Sequence, residues 1–198
     1  MSALLGLVLA GGRSSRMRED KAALTYRQRP QLELALELLA PFVSRAYVSV
    51  REDQRDDRLR SGFPQIVDGP EIEGPIAGII AAQAAHPLAA WLVIACDLPM
   101  LDSRTLSELI AGRNLNRLAT AFRSAGDGLP EPLCAIYEPA SRDAILRFVA
   151  SGVSCPRKFL MRHDVALLAP ASPQALANAN TPEELAAARQ ALASRERA

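Results

Sequence analysis

Two stretches of this sequence, Leu4 to Leu9 and Trp91 to Ala95, are apolar without alternation, and they limit the possible folds more than any other feature. A strand with one wet face alternates apolar and polar residues, so an unbroken apolar run of strand length suits a central parallel strand buried on both faces. Parallel strands need crossover connections, and helix-like segments lie between the apolar runs of this chain. Over Gln31 to Leu39, Leu32, Leu36 and Leu39 fall at helical spacing, and Pro41 ends the helix. Ala46 to Val50 reads as a second strand and Gln65 to Val67 as a third, short one. Pro75 sits where a first helical turn would begin, and Ile76 to Ala85 continues as an Ala-rich helix. Asp102 is placed to cap a helix over Ser103 to Ala111. Leu118 to Phe122 and Leu133 to Tyr137 are strand candidates joined by a short polar turn, Ser124 to Pro130, so one of them is expected to run antiparallel to the rest. Helices over Ala140 to Val149 and Pro156 to Arg162 follow, then a strand over Val165 to Leu168. A terminal helix opens at the capping box Thr181-Pro182-Glu183-Glu184. The expected fold is a three-layer α/β/α arrangement with a mainly parallel sheet, forming one domain over residues 1–198, since no repeat or linker interrupts the pattern.

With 49% hydrophobic residues the chain has enough apolar surface for a continuous core. Its 23 basic and 22 acidic residues leave a formal charge of +1, so no global field draws it to nucleic acid or to an anionic membrane. Cys96, Cys134 and Cys155 are widely spaced and show no zinc-site spacing; they are expected to be small buried apolar residues in a reducing compartment. The first dozen residues lack the features of a signal peptide, and no apolar run reaches the roughly 20 residues that span a bilayer. A cytoplasmic location is the resulting expectation. The mixed-sign run Arg51 to Arg60 is expected to be a solvated loop with a short helix. His86 and His163, far apart and without a third partner nearby, are expected at the surface.

Four segments are candidates for chemistry. The first is Leu9-Ala10-Gly11-Gly12-Arg13-Ser14-Ser15-Arg16-Met17-Arg18-Glu19-Asp20-Lys21, directly after the first strand. Adjacent glycines bring backbone N–H groups close to an anion, and Arg16 and Lys21 add charge suited to phosphate. The pattern is neither a Walker A loop nor a GxGxxG turn. A plain strand-to-helix turn with surface arginines is the competing reading. The second is Asp97 in Cys96-Asp97-Leu98-Pro99, at the end of the most apolar strand, where a carboxylate can hold Mg²⁺ or merely brace its own turn. The third is Gly74-Pro75-Ile76-Ala77-Gly78, whose small residues could admit a flat base or only allow tight helix packing; Asp68, just before it, could be a turn residue. The fourth is Asn178-Ala179-Asn180-Thr181-Pro182, where Thr181 is the helix cap and Asn180 keeps a spare amide.

In order and spacing, L-A-G-G-x-x-x-R-M-x-x-D-K, G-P-x-A-G, C-D-x-P and N-x-N-T-P-E-E-L together resemble the molybdenum cofactor guanylyltransferases, the MobA family, over nearly the whole chain. Leu9-Ala10-Gly11-Gly12 is similar to the guanylyl-transferring members; cytidylyl-transferring relatives more often carry Ala in place of the first Gly. The resemblance implies a Rossmann-like nucleotidyltransferase fold and transfer of GMP from Mg-GTP to molybdopterin, giving a guanine dinucleotide cofactor and pyrophosphate. It implies that Leu9, Ala10, Gly11, Gly12, Arg16 and Lys21 line the nucleotide site, that Asp97 binds Mg²⁺, and that Asp68 and Gly78 border the guanosine. Asn178 and Asn180 would lie toward the pterin, and Lys21, Arg16 and Asp97 would carry the catalysis. Transient contact with other molybdenum cofactor enzymes is implied as well. One departure stands out: Arg18 follows Met17 where the family usually has glycine. A transferase using CTP or a sugar phosphate, and a non-catalytic nucleotide or pterin binder marked by Arg18, are the rival readings.

Overall fold

The structure, a computed structural model, describes residues 2–12, 20–124 and 126–195. Its centre is a seven-stranded sheet made of β1 (Leu4–Leu9), β4 (Ala46–Val50), β5 (Gln65–Val67), β6 (Ala90–Ala95), β7 (Ala119–Arg123), β8 (Pro130–Tyr137) and β9 (Ala166–Leu168). Across the sheet the order is β5-β4-β1-β6-β8-β7-β9. All neighbours run parallel except β8, which is antiparallel to both β6 and β7, so the single reversal lies where the short 124–130 connection demanded one. The apolar run of β6 is buried at every position, as its lack of alternation requires.

Side chains of successive strand residues leave opposite faces of the sheet and feed two separate cores. One face carries Val8, Val48, Leu92 and Ile94 and packs against α1 (Gln31–Leu39), through Leu32, Leu36 and Leu39, and against α3 (Ser103–Ala111), through Leu106 and Leu109. The other carries Leu7, Tyr47, Trp91 and Val93. It packs against α2 (Pro75–Ala85), α4 (Ser141–Ala150) and α5 (Pro156–Arg162), through Ile76, Ile79, Ile145, Phe148 and Phe159. Each fully buried Leu, Ile or Phe stabilises the fold by about 1.5–3 kcal/mol, which is what holds helices to both faces. Asp102 caps α3, its Oδ1 accepting from the Thr105 N–H at 2.9 Å. The last helix, α6 (Pro182–Arg195), has its capping box in place: the Glu184 N–H donates to Thr181 Oγ1 at 3.2 Å, and the Thr181 N–H donates to Glu184 Oε2 at 3.0 Å.

A small hairpin, β2 (Thr25–Tyr26) with β3 (Arg29–Pro30), was not expected. Its two turn residues, Arg27 and Gln28, take φ of 49° and 60°, the left-handed conformation that hairpin turns usually give to Asn and Gly. The hairpin stem and α6 share a third cluster, Leu24, Tyr26, Met100, Leu185 and Leu192, which ties the end of the chain to the segment following the Gly-rich loop. No helix among the described residues is long and apolar enough to cross a membrane.

Three expectations are corrected. The 51–60 run has its short helix, the 3-10 turn Glu52–Gln54, but is not solvated throughout: Arg60, where a second turn, Arg60–Gly62, begins, is 1% exposed. His86 and His163 are half-buried rather than on the surface, since each imidazole packs on aromatic rings, His86 against Tyr47 and Trp91 and His163 against Phe148 and Phe159. Cys96 and Cys134 are buried as expected, but Cys155, which caps the start of α5, is only half-buried.

Candidate active site

The strand order locates the site. From β1 the chain moves to β4 and β5 on one side, then returns across β1 to β6 on the other, so the connections leave β1 and β6 in opposite directions and open a crevice at their carboxyl ends. Leu9 is level with Ser49 on β4 and with Ala95 on β6. Gly11, Arg51 and Asp97 therefore emerge side by side on one edge of the sheet. A cleft of about 1230 Å³ opens there, lined by Leu9 to Gly12, Lys21, Asp68, Asp97, Asn180 and the start of α2 at Gly74 and Pro75. Pockets for one small ligand hold about 300–1,000 Å³, so this cleft is large for a single small ligand.

At its centre the Lys21 ammonium donates to Asp97 Oδ2 at 2.8 Å and to Asn180 Oδ1. Asn178 Nδ2 donates to the other Asp97 oxygen, Oδ1, at 3.1 Å, and between the two amides the Ala179 N–H donates to the Asp97 carbonyl at 3.0 Å. Asn178 and Ala179 thus clamp the turn after β6, and Asn180 beside them holds the Lys21 ammonium. Ala179 is buried while Asn178 and Asn180 are half-buried, so alternation along an extended segment aims both amides at the Lys21–Asp97 pair. Lys21 and Asp97 side chains are 20% and 16% exposed, enough to meet a ligand and little enough to keep their attraction from being fully screened.

On the β4 side, Ser49 Oγ donates to Asp68 Oδ1 at 2.6 Å, and a side chain at Gly11 would stand 3.1 Å from Asp68 Oδ2. Burial pushes the Asp68 carboxyl up to about 6, against the opposing pull of the Ser49 hydroxyl and the Arg51 charge. Arg51 donates to the Gly11 carbonyl and forks onto Asp53 at 2.9 and 3.0 Å. Gly78 has a different place. A Cβ there would meet Ser49 Oγ at 2.3 Å and Leu9 Cδ2 at 2.7 Å, so this glycine lets α2 approach the sheet beneath Ser49, and Gly74, Pro75 and Ala77 line the cleft instead.

Of the residues singled out in the sequence, the structure brings together Leu9, Ala10, Gly11, Gly12, Lys21, Asp68, Asp97 and Asn180 in one cleft, with Asn178 bonded to Asp97 from behind. Arg16 and Arg18 lie outside the described residues. Unanticipated at this edge are Ser49, Arg51 and Arg60, together with Glu131 at the start of β8, whose carboxyl burial raises and Arg157 Nη2 meets at 3.2 Å. Among the described residues no group of three or more His, Cys, Asp or Glu is placed to hold a metal. The donor set at Asp97 nevertheless fits a hard divalent cation. A carboxylate offers about four lone-pair positions, of which Lys21 and Asn178 use two, and magnesium commonly rests on one or two carboxylates with the remaining ligands from phosphate and water.

Residues 6–168 match the MobA-like NTP transferase domain. A molybdenum cofactor biosynthesis bifunctional protein of Synechocystis is 36% identical over 181 residues, covering 91% of this chain and 52% of that protein, so the chain spans about half its length. A molybdenum cofactor guanylyltransferase of Pseudomonas fluorescens is 33% identical over 183 residues, covering 90% of each chain. Among solved structures, molybdopterin-guanine dinucleotide biosynthesis protein A from Archaeoglobus fulgidus superposes with a TM-score of 0.81 at 24% identity, over 96% of this chain and 99% of that one. The match over most of the chain and the shared fold lead to one conclusion: this chain belongs to the MobA-like NTP transferase family, alongside the molybdenum cofactor guanylyltransferases.

Proposed function

We propose that this chain, acting as a single nucleotidyltransferase domain in the cytoplasm, transfers GMP from GTP to molybdopterin, giving the guanine dinucleotide cofactor and pyrophosphate. The observation that carries the reading is the contact of Lys21 with Asp97, braced by Asn178 and Asn180, at the crevice between β1 and β6. It sets one cation and one carboxylate where the two halves of the cleft meet. In the reaction a terminal phosphate oxygen of the acceptor attacks the α-phosphorus of GTP, and the bond to the bridging oxygen breaks as pyrophosphate leaves with the electron pair. No protein nucleophile is required.

The chain's own residues act by positioning and by charge. Gly11 and Gly12 present backbone N–H groups to the triphosphate, and the Lys21 ammonium counters the charge that grows on the departing pyrophosphate. Asp97 would hold a divalent cation, taken here as Mg²⁺, which when bound supplies further charge neutralisation to the phosphates. Asp68 borders the base: an ionised carboxylate accepts only, which matches the N–H donors on the edge of guanine. That match favours GTP over CTP, whose base presents an acceptor at the corresponding ring position. The decisive experiment is pyrophosphate release from GTP and from CTP with Mg²⁺ and molybdopterin. GTP should support turnover and CTP should support much less; equal rates, or none with GTP, would overturn the reading.

A further inference from the structure

We propose that Arg60 is a positioning residue, a buried clasp that joins the two stems of the Gly-rich loop and so fixes the ammonium of Lys21. The inference rests on the nucleotidyl-transfer reading above. Arg60 is 1% exposed, and its flat guanidinium bridges groups far apart in sequence. Nη2 donates to the Ala10 carbonyl at 3.0 Å and to Asp20 Oδ1 at 2.7 Å, while Nη1 donates to Asp20 Oδ2 at 2.7 Å. Ala10 is the last residue before the loop opens, and Asp20 is the residue directly before Lys21. From the outer side Asp57 Oδ1 accepts from Nη1 at 3.1 Å and from the Leu59 and Arg60 N–H groups, locking the guanidinium in its own turn. Asp20 Oδ1 also accepts from the Ala22 N–H at 3.1 Å, which carries the constraint past Lys21 on its other side.

A buried guanidinium is a poor means of gaining stability, because apolar residues of similar volume often serve as well; what a bidentate pair adds is a defined geometry. Here that geometry is useful. Lys21 meets Asp97 and Asn180 on the far side of the cleft, and a loop whose ends were free of each other would let the ammonium wander. Lysine could supply the charge at position 60 but not the fork that reaches Ala10 and Asp20 together.

The test is a double-mutant cycle on pyrophosphate release from GTP, using wild type, Arg60→Lys, Lys21→Ala and the double variant, with circular dichroism and thermal melting on each. Arg60→Lys should lower kcat by about 10-fold while the protein stays folded, since small misplacements of a catalytic group carry costs of this order. KM for GTP should change by less than about two-fold, the pattern of an interaction felt in the transition state. In the Lys21→Ala background Arg60→Lys should cost nothing more. If the two effects multiply instead, or if folded Arg60→Lys keeps wild-type kcat, Arg60 does not act through Lys21 and the clasp is wrong. Should Arg60→Lys not fold, Asp20→Asn opens the same clasp from its exposed end and must meet the same expectations. Wild-type protein that releases no pyrophosphate from GTP would overturn the transferase reading and the clasp with it; active wild type with multiplying effects overturns the clasp alone.

Discussion

Asp97 and Glu138 stand at opposite edges of the same sheet, each paired with a basic side chain, and their surroundings differ in kind. At the carboxyl edge Asp97 meets Lys21 at 2.8 Å, and the pair borders the cleft. At the amino edge Glu138 receives two bonds from Arg113, Nε at 2.6 Å and Nη2 at 2.8 Å, and its carboxylate is 4% exposed. Around Glu138 every partner is structural: its carbonyl accepts from Ser141 Oγ at 2.7 Å, and its N–H donates to the Leu118 carbonyl at 3.0 Å. Around Asp97 the partners come from segments far apart in sequence, Lys21 after the Gly-rich stretch and Asn178 before α6, and the pair faces an open cleft. The difference follows from topology. Loops leaving β1 and β6 part at the carboxyl edge and open a crevice, and Glu138 lies at the edge away from it.

The strongest way to test this contrast is to remove charge from the Asp97 side. Asp97→Asn should reduce Mg²⁺-dependent pyrophosphate release by about 1,000-fold, because an amide keeps the shape and loses the attraction for a hard cation. Its melting temperature should change little, since Asn180 still accepts from Lys21. A folded Asp97→Asn protein with near-normal turnover would remove Asp97 from the mechanism. Next in size is Lys21→Ala, expected to cut turnover at least about 10-fold, or about 1.4 kcal/mol of transition-state stabilisation. Single-turnover measurements of GTP consumption would detect it, and unchanged rates would reduce the Gly-rich loop to an ordinary turn.

A smaller effect, visible as a pH profile, concerns Asp68. Burial lifts its carboxyl from an ordinary 3.8 to about 6, so below that pH it is protonated and loses its acceptor-only character toward guanine. GTP affinity should therefore fall several-fold between about pH 7.5 and pH 5, and Asp68→Asn should flatten the profile. Stability moves the other way. The folded state prefers the protonated carboxyl, so the contribution of Asp68 is fully present below pH 3.8 and is lost as pH rises through about 6. Melting curves should accordingly show Asp68→Asn gaining on wild type as pH rises from about 4 to about 6, with the difference levelling off above that. Calorimetry finding GTP affinity flat across this range would separate Asp68 from base recognition.

What the sequence disclosed, and what it concealed, divides along similar lines. Strand and helix positions were legible because an apolar run or a 3.6-residue spacing is a local signal; β1, β4, β5, α1, α3 and α5 begin and end where the spacing placed them. That Gly11, Gly12, Lys21 and Asp97 share one cleft was legible because residues that follow neighbouring parallel strands converge at the carboxyl edge. The hairpin of β2 and β3 was not, since Arg27 and Gln28 lack the usual turn chemistry and tertiary packing against α6 holds them there. Arg60 was hidden for another reason. Its run of mixed charges reads as solvated, and its partner Asp20 lies 40 residues away, a pairing no local pattern carries. Gly78 illustrates an ambiguity that only coordinates resolve: a glycine admitting a base and one admitting a neighbouring strand look alike in sequence, and here the close neighbours are Ser49 and Leu9.

The smallest expected effect on activity, and the one that sharpens the contrast most, comes from making the same carboxylate-to-amide change at the other edge. Glu138→Gln leaves Arg113, whose side chain is 12% exposed, with a neutral partner in place of a bidentate carboxylate. Breaking a buried pair from one side strands a charge and costs about 3 kcal/mol or more, because the guanidinium keeps its desolvation and loses its counter-charge. For a chain of this size each kcal/mol moves the midpoint by roughly 2–4 °C, so melting should occur roughly 6–12 °C lower. Turnover of the folded variant at low temperature should stay within about two-fold of wild type, since β6, β8 and the packed core separate Glu138 from the cleft. Asp97→Asn is expected to give the reverse, a normal melt and a collapsed rate. Two isosteric changes at opposite ends of one sheet would then dissociate stability from catalysis in both directions. A large loss of turnover in folded Glu138→Gln protein would break the comparison, because it would show that the amino edge is coupled to the chemistry through the strands rather than serving only to hold them.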